Sequence, residues 1–251
     1  MYDNLNQATS IFEQRAKQLG CHDYWLYKAK KSQGICWEEF DSRLLAHLDT
    51  IINTMSSGER NKLAKRFADI IPSNAQKFEK EYDEQFLDAL VEVVGYGWLQ
   101  DKFSSHRVQF AEPDLVVKYD KGGLVAAMAC KRIRTSVAND QFFEYQRESH
   151  RVEARPVDTK VLHVSPEENP FLRKLQDTLS KATNQLSKKN APTKFIFVNF
   201  SWDVSAAIHS HKQDIIRLIK KEASDLRKSG ITMIAFEDLQ ANQPFVEGYS
   251  R

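Results

Sequence analysis

The sequence predicts an α/β fold preceded by a helical N-terminal region, with residues 1–72 forming that region and residues 73–251 the α/β domain. Two observations carry the class. Before Pro72 the apolar residues recur only at helical spacing, and beyond Asn74 β-compatible runs alternate with helical stretches. A third, the Gly122-Gly123 pair between two apolar runs, marks a tight reversal and hence antiparallel strands within the same sheet.

In chain order, helices are expected over Asn4 to Leu19, Trp37 to Met55 and Glu59 to Ile70. The second carries Phe40, Leu44, Leu45, Leu48, Ile51 and Ile52 on one stripe. Ser57-Gly58-Glu59 reads as the start of the third helix, and Ile71-Pro72 as its stop, because proline disfavours a helical residue before it. A long helix follows from Asn74, then three successive strands. Among these, Leu115 to Lys118 and Leu124 to Cys130 flank the glycine turn. Later strands are expected over Lys160 to Val164, Lys194 to Phe200 and Ile231 to Phe236, with helices over Pro170 to Lys188 and His209 to Lys228. This alternation predicts a mostly central sheet covered on both faces by helices.

Composition restricts function without naming it. A chain of 251 residues with 41% hydrophobic content can bury a sizeable core. Its net charge is only +2, with a pI near 8.3, so nucleic-acid contacts must come from local patches, not from a general basic coat. No apolar run approaches the roughly 20 residues of a membrane span. The N-terminus lacks the layout of a signal peptide, so the expected address is the cytoplasm with no membrane partner. Cys21, Cys36 and Cys130 have no Cys-x-x-Cys spacing, which argues against a disulfide framework and a zinc knuckle.

The chemistry concentrates in Pro113 to Arg132, PDLVVKYDKGGLVAAMACKR. Side chains two apart on a strand share a face, so position 129 and Lys131 point the same way, toward the end of the neighbouring strand that carries Asp114. A hard cation such as Mg²⁺ takes oxygen ligands, usually one or two carboxylates with water and phosphate, and lowers the pKa of a bound water. Two carboxylates beside a lysine satisfy that recipe. Here one of the two positions holds Ala129.

Pro113-Asp114 and Ala129-Cys130-Lys131, in their strand-turn-strand setting, resemble the PD-(D/E)xK superfamily of restriction-endonuclease-like nucleases, with the acid of the second element replaced. The resemblance runs from near Asn74 to about Glu148. It implies a restriction-endonuclease-like central mixed sheet and Mg²⁺-dependent endonuclease activity on DNA, with Mn²⁺ as a substitute metal. The implied setting is restriction or antiviral defence, beside a helicase or other defence subunit. It implies Asp114 and position 129 as metal ligands and Lys131 as the group that orients water and stabilises charge. Asp83-Glu84-Gln85-Phe86 to Gly95-Tyr96 resembles the helix of the Mrr-like members, which makes Glu84 the auxiliary acid; Glu79, Glu81 and Glu92 lie on the same helix. Gln141 and Gln146 stand where members carry a glutamine that contacts the site.

An alanine cannot ligate a cation, so this sequence is expected to hold metal poorly and to turn over slowly or not at all. Either the acid was removed to give an inactive form, the preferred reading since Asp114 and Lys131 are retained, or the chain is a natural non-catalytic binder. Glu112 shares the face of Asp114 only if the strand begins early. As a solvated strand-edge acid it has an ordinary explanation.

Arg132, Arg134, Arg147 and Arg151, with Gln141 and Gln146, are the candidate nucleic-acid contacts. Asp140, Glu144, Glu148 and Glu153 interleave with them, so a salt-bridged helix face explains much of the same pattern. His209, His211 and His163 are read as solvated or rim histidines, and Trp37, Trp98 and Trp202 as core anchors. The wide apolar stripes before Pro72 lead to an expected homodimer, which lets two sites cut both strands of a duplex. A monomer in light scattering at micromolar concentration removes that expectation.

Overall fold

A computed structural model describes residues 2–20, 41–134, 170–201, 206–237 and 244–247. It is an α/β chain with helices flanking strands in mixed orientation, and it divides into two compact units, Met1–Cys130 and Lys131–Arg251. No helix among the described residues is long and apolar enough to cross a membrane.

The first unit begins with α1 (Asp3–Gln18), α2 (Ser42–Thr54) and α3 (Ser57–Ile70). Each buries the stripe that its spacing predicts: Leu5, Phe12 and Ala16 on α1, Leu44, Leu45, Leu48 and Ile52 on α2, and Leu63 and Phe67 on α3. The cap of α3 is Ser56, one residue before the expected start, and its hydroxyl accepts the Glu59 N–H at 3.3 Å. At the far end Arg15 of α1 donates to the carbonyls of Ala68 and, at 2.6 Å, of Ile71, supplying partners to carbonyls that the end of a helix leaves open.

The long helix α4 (Lys80–Lys102) starts six residues later than Asn74. Pro72, Ser73 and Asn74 form a turn instead, closed by the Ala75 N–H on the Pro72 carbonyl at 3.1 Å. Phe86 of α4 packs on Phe12 and Phe67, with ring centroids 4.7 and 5.1 Å apart, which joins α1, α3 and α4 in one core. On another side of α4, Gly97 lies against α2. A Cβ there would fall 2.6 Å from Ile51 Cδ1.

Three antiparallel strands follow, β1 (Arg107–Phe110), β2 (Leu115–Lys118) and β3 (Leu124–Arg134). The β2–β3 hairpin turns where the glycine pair predicts. Gly122 and Gly123 have φ of 87° and 89°, and the Gly122 N–H reaches the Tyr119 carbonyl at 3.0 Å. Pairing runs Leu115↔Met128, Val116↔Ala127 and Val117↔Ala126, with an irregularity between Val117 and Lys118. β3 continues past the expected Cys130 to Arg134, and the boundary between the two units falls within this strand.

The second unit contains α5 (Pro170–Ser187), β4 (Thr193–Ser201), α6 (Ala206–Lys228), β5 (Ile231–Phe236) and β6 (Val246–Glu247). β4 and β5 are parallel, from Lys194↔Ile231 to Asn199↔Phe236, with α6 as the connecting helix; α5 packs on β4 and α6 on β5. Gly230, at φ 74°, supplies the left-handed residue that ends α6. β6, absent from the sequence reading, pairs antiparallel with β5. Two residues of strand carry no readable period. The expected strand at Lys160 to Val164 lies outside the described residues.

Candidate functional site at the end of the β2–β3 hairpin

β2 begins at Leu115, whereas β3 runs on past the residue opposite it. The backbone N–H of Cys130 therefore lies beyond the last paired carbonyl of β2. Asp114 fills that place: its Oδ2 accepts the Cys130 N–H at 2.8 Å. Its own carbonyl accepts the Ala111 N–H at 3.2 Å, which fixes the turn between β1 and β2. Continued one step from Leu115↔Met128, the register sets Asp114 opposite Ala129.

The faces of β3 follow from its contact with α4. A Cβ built on Gly95 would meet Cys130 Sγ at 2.9 Å, Met128 Sδ at 3.3 Å and Leu115 Cδ1 at 3.4 Å, so these three side chains face the helix. Alternation then puts Ala127, Ala129 and Lys131 on the opposite face of the strand, and Arg132 on the face of Cys130. Ala129 is fully buried, while Asp114, Lys131 and Arg132 are half-buried.

Asp114 and Ala129 belong to the first compact unit, and Lys131, two residues after Ala129 on β3, is the first residue of the second. Glu84 lies on α4 and is half-buried. Eleven residues separate it from Gly95, close to three whole turns. It shares the strand-facing side of the helix but sits about 16 Å along the axis from the level of Cys130. Of the other candidate acids, Glu92 is engaged by Arg66, Nη1 to Oε2 at 2.6 Å, Glu81 is exposed, and Glu79, also exposed, precedes α4 as its N-cap instead of lying on it. Glu112 is exposed and precedes the start of β2, so strand alternation does not extend to it. Arg134 closes β3. Gln141, Gln146, Arg147, Arg151 and His163 lie outside the described residues, and His209 and His211 fall in α6.

The sequence reading missed two buried acids. Asp83 is fully buried next to Glu84, three and seven residues before the buried Phe86 and Leu90. That helical spacing was the available signal. Glu59 is 6% exposed; its Oε2 accepts the Phe110 N–H at 2.7 Å and its Oε1 accepts Lys62 Nζ at 2.9 Å. Lys62 Nζ also reaches the Phe110 carbonyl at 3.3 Å, so two side chains of α3 occupy both backbone groups of the last residue of β1. Nearby, Tyr96 stacks on Phe110 with centroids 5.3 Å apart and donates its hydroxyl to the Val108 carbonyl at 3.2 Å. Burial, with a smaller push from the Glu59 charge, raises its phenol to about 12.

Among the described residues no three His, Cys, Asp or Glu side chains are grouped to hold a metal ion. The donor set at the hairpin end of the first unit is one carboxylate, Asp114, opposite one alanine methyl, Ala129. It does not meet the needs of Mg²⁺. No family model matches the chain, and no curated protein or solved structure is significantly similar to it.

Proposed function

We propose that the chain is a Mg²⁺-dependent DNA endonuclease of the restriction-endonuclease-like type in which position 129 lacks its acid, so that this sequence keeps the scaffold of the reaction without performing it. The observation that carries the reading is the Asp114 carboxylate held at 2.8 Å on the N–H of Cys130, the residue between 129 and 131. A carboxylate fixed there adjoins the strand position where a second acid and the lysine two residues on share a face. With Ala129 in place the residues do not fit a divalent cation. What the chain itself supplies is an oriented acid at Asp114 and a cation at Lys131 able to stabilise charge on a phosphodiester, whereas Arg132 lies on the opposite face of β3, that of Cys130. Restriction or defence, and a helicase-type partner, follow only from the resemblance of the motif.

Ala129→Glu tests the reading. With the acid restored, Mg²⁺- or Mn²⁺-dependent cleavage of DNA is the expected result. A folded variant that binds DNA and cleaves neither DNA nor RNA under those conditions defeats it. Complete burial of Ala129 favours a second reading, a non-catalytic nucleic-acid-binding or assembly subunit, because a carboxylate at a fully buried position is costly unless something pairs with it. Under that reading Ala129→Glu loses stability and divalent ions do not return it.

A further inference from the structure

We propose that Gly95 is a positioning residue for the Asp114 carboxylate, acting through Cys130 from the opposite face of β3; as a statement about a functional acid, this rests on the reading of Asp114 as part of a metal site. Glycine is a poor helix former, so one in the interior of a 23-residue helix calls for a packing reason. Gly97 has its reason in α2, through Ile51. The reason for Gly95 is the hairpin. A Cβ there meets an atom of Leu115, which adjoins Asp114, and atoms of Met128 and Cys130, which flank Ala129. Leu115 and Met128 are fully buried and Cys130 is 7% exposed, so all three must shift within a packed interior to make room.

The shortest of those approaches, 2.9 Å to Cys130 Sγ, is on the residue whose N–H holds Asp114. The absence of a side chain at Gly95 therefore sets how closely β3 approaches α4. That spacing sets where the Cys130 N–H points, and the N–H orients the carboxylate. A displacement of a few tenths of an ångström at Cys130 lengthens or bends a bond whose strength depends on both distance and angle.

The amide resonance of Cys130 reads this bond directly. In the parent chain it should lie downfield, as a short hydrogen bond to a carboxylate requires, and Asp114→Ala should move it upfield. Gly95→Ala should cost most of that displacement, and Gly95→Ala with Cys130→Ala, which clears the closest contact and keeps the backbone donor, should return it. Gly97→Ala combined with Ile51→Ala should leave it unchanged. An unaltered resonance in folded Gly95→Ala, or a folded double variant as disturbed as the single one, overturns the proposal. Should Gly95→Ala not fold, Cys130→Val presses on the helix from the strand side and must disturb the same resonance; an undisturbed one overturns the proposal equally. Mn²⁺ binding by the Ala129→Glu protein separates this inference from the function on which it rests. Amide behaviour as expected without Mn²⁺ binding leaves the positioning role and removes the metal site, whereas Mn²⁺ binding with an indifferent amide does the reverse.

Discussion

Glu59 and Asp114 do the same local job in two regions of the first unit, and the difference between them separates structure from candidate chemistry. Each carboxylate accepts a backbone N–H at the margin of the β1–β3 pairing, that of Phe110, the last residue of β1, and that of Cys130, beyond the end of β2. Glu59 is buried, and Lys62 neutralises it while also taking the Phe110 carbonyl. A strand edge closed in this way by helix side chains cannot recruit another strand. Asp114 is half-buried and stands opposite a position whose side chain is only a methyl group. A carboxylate whose polar demands are met inside a packed junction explains itself. Asp114, half-buried at the end of a strand and opposite Ala129, is the one that the sequence motif singles out.

The largest expected effect tests the functional half of this contrast. Ala129→Glu should raise Mg²⁺-dependent cleavage by about a hundred- to a thousandfold, the span that one charge-stabilising group of about 2.7 to 4 kcal/mol typically supplies. Lys131→Ala on that background should abolish the gain, and a chelator should stop it. Gel assays on duplex DNA read all three. The same variant should melt earlier in chelator and recover with Mn²⁺, because a carboxylate at so buried a position is tolerated only when paired.

The structural half predicts a loss without function. Glu59→Ala should cost about 3 kcal/mol in denaturant unfolding, since it leaves a buried backbone N–H without its charged acceptor and breaks the pair with Lys62. DNA binding should be unchanged. A variant with parental stability breaks the comparison, because Glu59 then holds nothing together.

Tyr96 gives a pH test of the same junction. Its phenol is raised from 10.0 to about 12, by burial first and by Glu59 second, so the fold prefers the neutral form. The sign follows: this contribution is fully present below pH 10 and is lost as pH rises through 12. Absorbance titration should show a late-ionising phenol component that is missing in Tyr96→Phe. In Glu59→Gln it should ionise somewhat earlier, and an unmoved phenol there removes Glu59 as a cause.

Much of this architecture was legible in periodicity. The stripes of α1 to α3, the hairpin at Gly122-Gly123 and the span of β5 all follow from spacing and turn chemistry, because burial of an amphipathic face leaves a local signature. The motif also led to Asp114. What stayed hidden was long-range. No local pattern says that Glu59 meets Phe110, 51 residues away, or that Gly95 packs on Cys130. A buried acid such as Asp83 looks from sequence like an ordinary first-turn helix charge until the residues three and seven positions on are known to be core.

The smallest effect is the most discriminating, because it separates the acceptor role of Asp114 from its charge. Asn at position 114 retains an oxygen for the Cys130 N–H, so Asp114→Asn should cost under about 1 kcal/mol, whereas Asp114→Ala leaves a backbone donor at the strand end unpaired and should cost about 1 to 2 kcal/mol. Stability thus ranks Asp, Asn and Ala in small steps. Activity should not follow that ranking. On the Ala129→Glu background both substitutions should remove Mn²⁺-dependent cleavage to the same extent, since an amide keeps the hydrogen bond but lacks the charge that a hard cation requires. If Asp114→Asn retains cleavage while Asp114→Ala loses both cleavage and stability, Asp114 serves the strand end alone, as Glu59 serves β1.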